Sequence, residues 1–231
     1  MARLILPLDF PSADEAFAMV DRLGDRADFF KVGLELYTRS GPSVVEELKR
    51  RGKDVFLDLK LHDIPNTVAG GVRAAADLGV DLLTVHTAGG EAMLKAGAEA
   101  ASGDMRLLGV TILTSMSPAT LEGVWGREIR SIRDEVGRLT DLAREAGMHG
   151  VVASPLEASW IRGRVPRGFL VVTPGIRPAG ADRGDQSRVA TPADAVAAGA
   201  DYLVVGRPIT RADDPESALA AVLEEIAGAS E

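Results

Sequence analysis

Cysteine is absent from the 231 residues, which excludes disulfides, zinc thiolates, iron–sulfur clusters and a cysteine nucleophile. Histidine is nearly as scarce, and His62, His86 and His149 are too scattered to read as a metal triad. There is no long basic run, and the net charge is −8. That balance argues against nucleic acid or an anionic membrane as partner, while leaving room for a local cationic pocket that takes a small phosphorylated ligand. No apolar run approaches the ~20 residues of a membrane span. Residues 1–9 read as a first strand rather than a signal peptide. The expectation is a soluble, cytoplasmic protein.

What is present is a regular alternation. Apolar runs at 3–9, 28–34, 54–61, 81–87, 106–113, 149–153, 168–173 and 201–205 are separated by stretches with helical spacing, the last at about 216–226. The strands read as continuous runs, as parallel strands covered on both faces do. Eight strands alternating with eight helices over 1–231, without a break in composition, predict one (β/α)8 barrel domain, a fold of ~250 residues. A doubly wound open sheet is the alternative. No Gly-rich dinucleotide fingerprint follows the first strand, which favours the barrel.

Charges interrupt three adjacent strands. Asp9 ends the first, Lys31 lies inside the second, and Asp58 and Lys60 end the third, with Asp63 just beyond. Residues two apart on a strand share a face, so Asp58 and Lys60 point together while Leu57, Leu59 and Leu61 point the other way. Burying such charges unpaired costs several kcal/mol each, as a rough figure. One isolated pair reads most simply as a structural ion pair. A network of Lys31, Asp58, Lys60 and a second acid, placed where barrels keep their active sites, instead holds a lysine protonated and aimed at a nascent carbanion. Asp9 fits a ligand-hydroxyl acceptor. His86 and His149 read as core histidines, and Trp125 and Trp160 as packing residues.

A second constellation surrounds the last two strands. The seventh opens into a long polar connection, 174–190, of a length that suits a lid. The eighth ends at Gly206-Arg207-Pro208-Ile209. Loops after strands seven and eight, with a helix N-terminus, are the usual phosphate site of barrels. Arg207 offers bidentate donors and Gly206 a close backbone approach, with Arg177 and Gln186 within reach on the long connection. A solvated loop with Arg207 capping a helix is the plainer alternative.

The run Asp58-Leu59-Lys60-Leu61-His62-Asp63-Ile64-Pro65-Asn66-Thr67 resembles the signature of the orotidine 5′-monophosphate decarboxylases. So do Leu8-Asp9, Lys31-Val32-Gly33, Leu113-Thr114-Ser115-Met116, Thr173-Pro174-Gly175-Ile176-Arg177-Pro178, Asp185-Gln186-Ser187-Arg188 and Val205-Gly206-Arg207-Pro208-Ile209, in the same order. The resemblance implies a barrel that converts orotidine 5′-monophosphate to uridine 5′-monophosphate and CO2 without metal or organic cofactor. On that basis Lys60 would protonate C6, Asp58 would sit near the leaving carboxylate, Lys31 would link the network and touch the ribose, and Asp9 would accept a ribose hydroxyl. Asp63 and Thr67 would reach across the two-fold axis of a homodimer into the partner's site, Asp63 completing a catalytic Lys31-Asp58-Lys60-Asp63 charge network there. Thr114 or Ser117 would contact the pyrimidine edge, and Arg177, Gln186, Gly206 and Arg207 would take the phosphate. Ile64 and Pro174 complete the implied substrate-binding set. The alternatives are a magnesium-dependent sugar-phosphate decarboxylase or aldolase of the same superfamily, and a non-catalytic nucleotide-phosphate sensor. A metal-binding acid on strand one or two would favour the first, but strand two carries Lys31. Loss of Lys60 or Asp58 would favour the second, and both are present.

Overall fold

Each apolar run pairs with the next one along the chain, and the last returns to the first. In the computed structural model, which describes residues 2–179 and 188–229, the strands are β1 (Arg3–Pro7), β2 (Phe29–Gly33), β3 (Asp54–Leu61), β4 (Leu82–His86), β5 (Arg106–Val110), β6 (Gly150–Val152), β7 (Leu170–Thr173) and β8 (Tyr202–Val204). They form a closed barrel in sequence order, and every pairing is parallel. The fold expected from the alternation is therefore the one observed.

The barrel has two apolar compartments. Ile5, Phe29, Phe56, Leu82, Leu108, Val172 and Val204 point inward and fill the lower barrel, with Phe29 and Tyr202 meeting edge to face at 5.6 Å. The larger cluster lies between the strands and the helices and includes Leu57, Leu83, Leu107 and Val171, with Leu59 and Leu61 packed on it. The outward placement of Leu57, Leu59 and Leu61 follows the expected alternation. Above the lower layer the inward positions of β2, β3 and β4 carry Lys31, Asp58 and Thr84, while Val110 and Val152 face the same space from β5 and β6.

Among the described residues the surrounding layer holds α1 (Ala13–Leu23), α2 (Leu34–Ser40), α3 (Ser43–Arg50), α4 (Pro65–Asp77), α5 (Glu91–Ala100), α6 (Pro118–Trp125), α7 (Ile132–Glu145), α8 (Pro155–Arg162), α9 (Pro192–Ala197), α10 (Arg207–Thr210) and α11 (Pro215–Gly228). Eleven α-helices replace the expected eight: α2 runs on directly from β2, and α6 and α10 lie in what reads as connection after β5 and β8. Their signals are local. Ser117 caps α6, its hydroxyl accepting from the Thr120 N–H at 3.2 Å, and Pro118 fills the first turn. Other helices start the same way, with Ser12 on α1, Ser131 on α7 and Asp214 on α11, and a Thr191/Asp194 capping box on α9. Strands β1 and β5 stop short of the expected ends, at Pro7 and Val110, so Asp9 and residues 111–113 lie on the connections above the barrel.

β6 and β7 approach closely at Gly150. A Cβ there would lie 2.5 Å from the Leu170 carbonyl oxygen and 2.9 Å from its Cα, neither of which can move without the strand. Gly150→Ala is therefore expected to destabilise the fold by about 1–3 kcal/mol, read as a lower urea midpoint. An unchanged midpoint would show that the β6–β7 spacing yields freely.

Candidate active site

The upper barrel is organised by one carboxylate. Asp58 on β3 points inward above Phe56, and Lys60 Nζ donates to its Oδ1 at 2.8 Å. Lys31 Nζ, from β2, lies 3.6 Å from Oδ2 and donates to Asp9 Oδ1 at 3.1 Å. The order is thus Asp9–Lys31–Asp58–Lys60, with each interior charge flanked by its opposite. Gly33 leaves room for the outer pair, since a Cβ there would come 3.0 Å from Lys31 Nζ and 3.4 Å from Asp9 Oδ1.

Strand β3 is bent to make this possible. Lys60 has φ of 51°, the one positive value outside glycine among the described residues. The pairing with β4 slips between Leu57 and Leu61. A non-glycine residue in the left-handed region costs about 1–3 kcal/mol and persists where its surroundings hold it. Thr84 on β4 supplies that hold. Its hydroxyl accepts from the Lys60 backbone N–H at 2.9 Å and donates to Asp58 Oδ1 at 3.0 Å. The bulge frees a donor from the ladder, and Thr84 both satisfies that donor and adds a hydrogen bond to the carboxylate.

Burial is the largest single influence on Asp58 and favours its neutral form. The charges of Lys31 and Lys60, with hydrogen bonds from Lys60 and Thr84, oppose burial and together outweigh it, so the carboxyl titrates below its ordinary value. The magnitudes agree: one charge pair at 4 Å with an effective dielectric of 20 gains about 4 kcal/mol, and two such pairs exceed a desolvation penalty of several kcal/mol. Asp58 stays ionised and fixed.

A cavity of about 250 Å³ opens over this cluster, lined by Lys31, Asp58 and Lys60 on one side and by Leu113, Thr114 and Ser115 on the other. A second cavity of about 400 Å³ shares Lys31 and Pro174 with it and continues to Asp9, Arg177, Gly206 and Arg207. The two together form a trough with ammonium groups at one end and guanidinium groups at the other. Arg177 is buried, its Nη1 donating to the Ile176 carbonyl and its backbone N–H to the Ala190 carbonyl. Gly206 packs beneath Pro7, where a Cβ would lie 2.8 Å from the proline ring. Helix α10 is one turn long, so the guanidinium groups outweigh its dipole as an anion attractor.

The remaining expected site residues divide into three groups. Asp63, Ile64 and Thr67 are exposed just past the C-terminal end of β3 and line neither cavity, and Asp63 accepts from its own neighbour, the Ile64 N–H, at 2.6 Å. Within one chain Asp63 stands apart from the Asp9–Lys31–Asp58–Lys60 row, in which Asp9 is the second acid. The Ser117 hydroxyl serves as the α6 cap, whereas Thr114 lines the cavity. Gln186, in the middle of the 174–190 connection, lies outside the described residues. Thr84, Gly33 and Ser115 are additions to the expected set. The signal for Thr84 was a lone hydroxyl at an inward position of an apolar strand.

The histidines keep structural roles. His149 Nδ1 accepts from the Leu107 N–H at 3.0 Å. His86 lies 5.6 Å ring to ring from His62, and its pKa is lowered by burial first, then by His62 and Lys60.

The depressed Asp58 pKa makes stability depend on pH. The contribution of its ionisation is fully present above the ordinary value of 3.8 and is lost as pH falls through the lower folded value. Asp58→Asn lacks it and leaves two lysines facing each other. The stability difference between wild type and variant, from urea unfolding, should be largest at neutral pH and shrink below about pH 4. A difference that does not change with pH would contradict this.

Comparison with known proteins agrees with the geometry. A family model described as "Orotidine 5'-phosphate decarboxylase / HUMPS family" matches residues 2–222. The chain is 56% identical over 232 residues to the orotidine 5'-phosphate decarboxylase of Halorhodospira halophila, covering 98% of this chain and 97% of that protein. It is 50% identical to that of Moorella thermoacetica, over 97% and 92% of the two chains. The crystal structure of orotidine 5'-phosphate decarboxylase from Lactobacillus acidophilus superposes with a TM-score of 0.87 at 37% identity, covering 98% of this chain and 99% of that one. The corresponding structure from Pyrococcus horikoshii gives 0.78 at 31% identity, over 97% and 99%. The chain belongs to the orotidine 5′-phosphate decarboxylase / HUMPS family.

Proposed function

We propose that this chain converts orotidine 5′-monophosphate to uridine 5′-monophosphate and CO2, the last step of de novo pyrimidine nucleotide synthesis. The observation that carries the reading is the Asp9–Lys31–Asp58–Lys60 row at one end of a trough whose other end holds Arg177 and Arg207. A nucleotide laid along it would place its phosphate by the guanidinium groups and its base over Lys60. Asp9 and Lys31, between the two ends, suit the ribose hydroxyls, and Thr114 suits the pyrimidine edge.

The chemistry follows from the charges. The C6–carboxylate bond breaks, CO2 departs, and its bonding electrons stay on C6 as a poorly delocalised carbanion. The Lys60 ammonium stabilises that charge and then gives C6 its proton, becoming an amine that solvent reprotonates. One preorganised donor of this kind is worth about 3–4 kcal/mol. Asp58 would act mainly by holding Lys60. Flanked by two ammonium groups, it keeps its charge when a substrate carboxylate approaches, and the three groups together remain a net cation. Binding energy from the remote phosphate would be spent on seating the base.

The alternative is a magnesium-dependent sugar-phosphate decarboxylase or aldolase. Lys31 on the inward face of β2, where such an enzyme would favour a metal-binding acid, and the names of relatives at 50–56% identity support the decarboxylase. We further propose a homodimer in which Asp63 and Thr67 complete the partner's site. The exposed run 62–67 at the C-terminal end of β3, with Ile64 67% exposed, supports it. Among the described residues no helix is long and apolar enough to cross a membrane. The substrate is an anionic phosphate ester that does not cross membranes unaided, so its consumer shares its compartment, which we take to be the cytoplasm.

Loss of substrate absorbance should proceed in EDTA with wild-type protein and fall at least about 10³-fold in Lys60→Ala. Turnover only with added magnesium would overturn the reading. For the dimer, Lys60→Ala and Asp63→Ala homodimers, each impaired, should recover about a quarter of wild-type activity after mixing and subunit exchange, because each mixed dimer then holds one intact site. No recovery despite demonstrated exchange would show that each subunit's site is self-contained.

A further inference from the structure

One buried ion pair has no part in the chemistry above. Arg188 Nη1 donates to Glu157 Oε1 at 2.7 Å, and the two side chains are only 12% and 7% exposed. The other arm, Nη2, donates to the Leu113 carbonyl at 3.2 Å and reaches the Ile112 carbonyl at 3.5 Å. Burial pushes the Glu157 carboxyl up, against the pull of the Arg188 charge. Such a pair is expensive to bury, and apolar residues of similar volume often serve stability as well or better. Its location gives it a different use.

Three connections converge on this guanidinium. Residues 112 and 113 follow β5, and the next two, Thr114 and Ser115, form the cavity wall facing Lys60 and Asp58. Glu157 is in the first turn of α8, after β6. Arg188 belongs to the connection after β7 and lies two residues before Ala190, whose carbonyl accepts the Arg177 N–H at 2.9 Å. The carbonyls of residues 112 and 113 lie beyond the β5–β6 pairing; Arg188 reaches both, and the Leu113 carbonyl also accepts from the Met116 N–H at 2.9 Å.

We propose that Arg188, held by Glu157, is a positioning residue for decarboxylation: it sets the 112–115 wall, against which the pyrimidine lies, at its working distance from Lys60. A planar fork is suited to this. One arm is locked by a carboxylate while the other holds two consecutive carbonyls, which a lysine cannot do in the same geometry. A displacement of the base by about 1 Å is enough to lower a rate ~100-fold.

Because this role presupposes the decarboxylase reading, wild-type turnover of orotidine 5′-monophosphate is measured first, and its absence would sink that reading rather than this one. The test is the double variant Arg188→Met/Glu157→Leu, which removes both charges at similar volume and strands neither. Its melting temperature should stay near that of wild type, while kcat falls about ten- to a hundred-fold. Affinity for uridine 5′-monophosphate should fall too, and inhibition by inorganic phosphate should stay within about two-fold, because the guanidinium groups at the far end are untouched. A kcat close to wild type would overturn the proposal. So would a parallel loss of inorganic phosphate affinity, which would assign the pair to the phosphate end. Should the double variant not fold, Arg188→Lys keeps the charge beside Glu157 and loses the fork. A several-fold lower kcat with unchanged phosphate inhibition is expected there, and wild-type kcat would overturn the role.

Discussion

An ionised carboxylate inside a barrel is stable only if its surroundings replace water, and the upper half of this molecule is arranged around that requirement. Asp58 receives Lys60 on one oxygen and Lys31 near the other, with the Thr84 hydroxyl adding a neutral donor. Remove any one of these and the remaining charges are left short of a partner in a poorly solvated place. The same arrangement holds the lysines. Lys60 is kept in one rotamer with a positive charge directed into the cavity, while Lys31 extends the row to Asp9 at the more exposed rim. Preorganisation of this kind means that little reorganisation is needed when negative charge develops on a bound base.

The barrel supplies the frame and leaves the two ends of the trough to different parts of the chain. The connection after β1, with β2 and β3, carries the charged row, Thr84 of β4 braces it, and the connections after β7 and β8 carry the cationic far end. The wall between them comes from the connection after β5. The apolar layer of Ile5, Phe29, Phe56 and their neighbours closes the barrel below, so the trough opens only towards the strand C-termini. The bend in β3 at Lys60 is where, among the described residues, a non-glycine residue gives up regular backbone to serve the site.

Much of this was legible in the sequence, for identifiable reasons. Period-two alternation correctly put Asp58 and Lys60 on the inner face and Leu57, Leu59 and Leu61 on the outer one, and eight apolar runs separated by helical stretches sufficed for the barrel. Asp9, Lys31, Asp58 and Lys60 stood out because a buried strand has no other reason to carry charge. The left-handed backbone at Lys60 was not legible, since it depends on a hydroxyl 24 residues away on the next strand. Thr84 itself was hidden because threonine is ordinary in strands. Helices α2, α6 and α10 were missed because each is inserted in the connection after a strand, ahead of the main helix of its unit, although the Ser117-Pro118 cap of α6 was readable locally. The Arg188–Glu157 pair could not be read at all, because it joins two connections that only the closed barrel brings together.

The central claim is that the Lys60 ammonium, fixed by Asp58, exchanges a proton with C6 of the pyrimidine. By microscopic reversibility the same group should remove the C6 proton of bound uridine 5′-monophosphate, with no carboxylate involved. The most direct measurement is exchange of that proton for deuterium, followed by NMR in deuterium oxide with saturating nucleotide. The account predicts exchange with the wild-type protein and none above background with Lys60→Ala, measured where uridine 5′-monophosphate still saturates the variant. Exchange at the wild-type rate in the saturated variant would contradict it and assign the proton to another group.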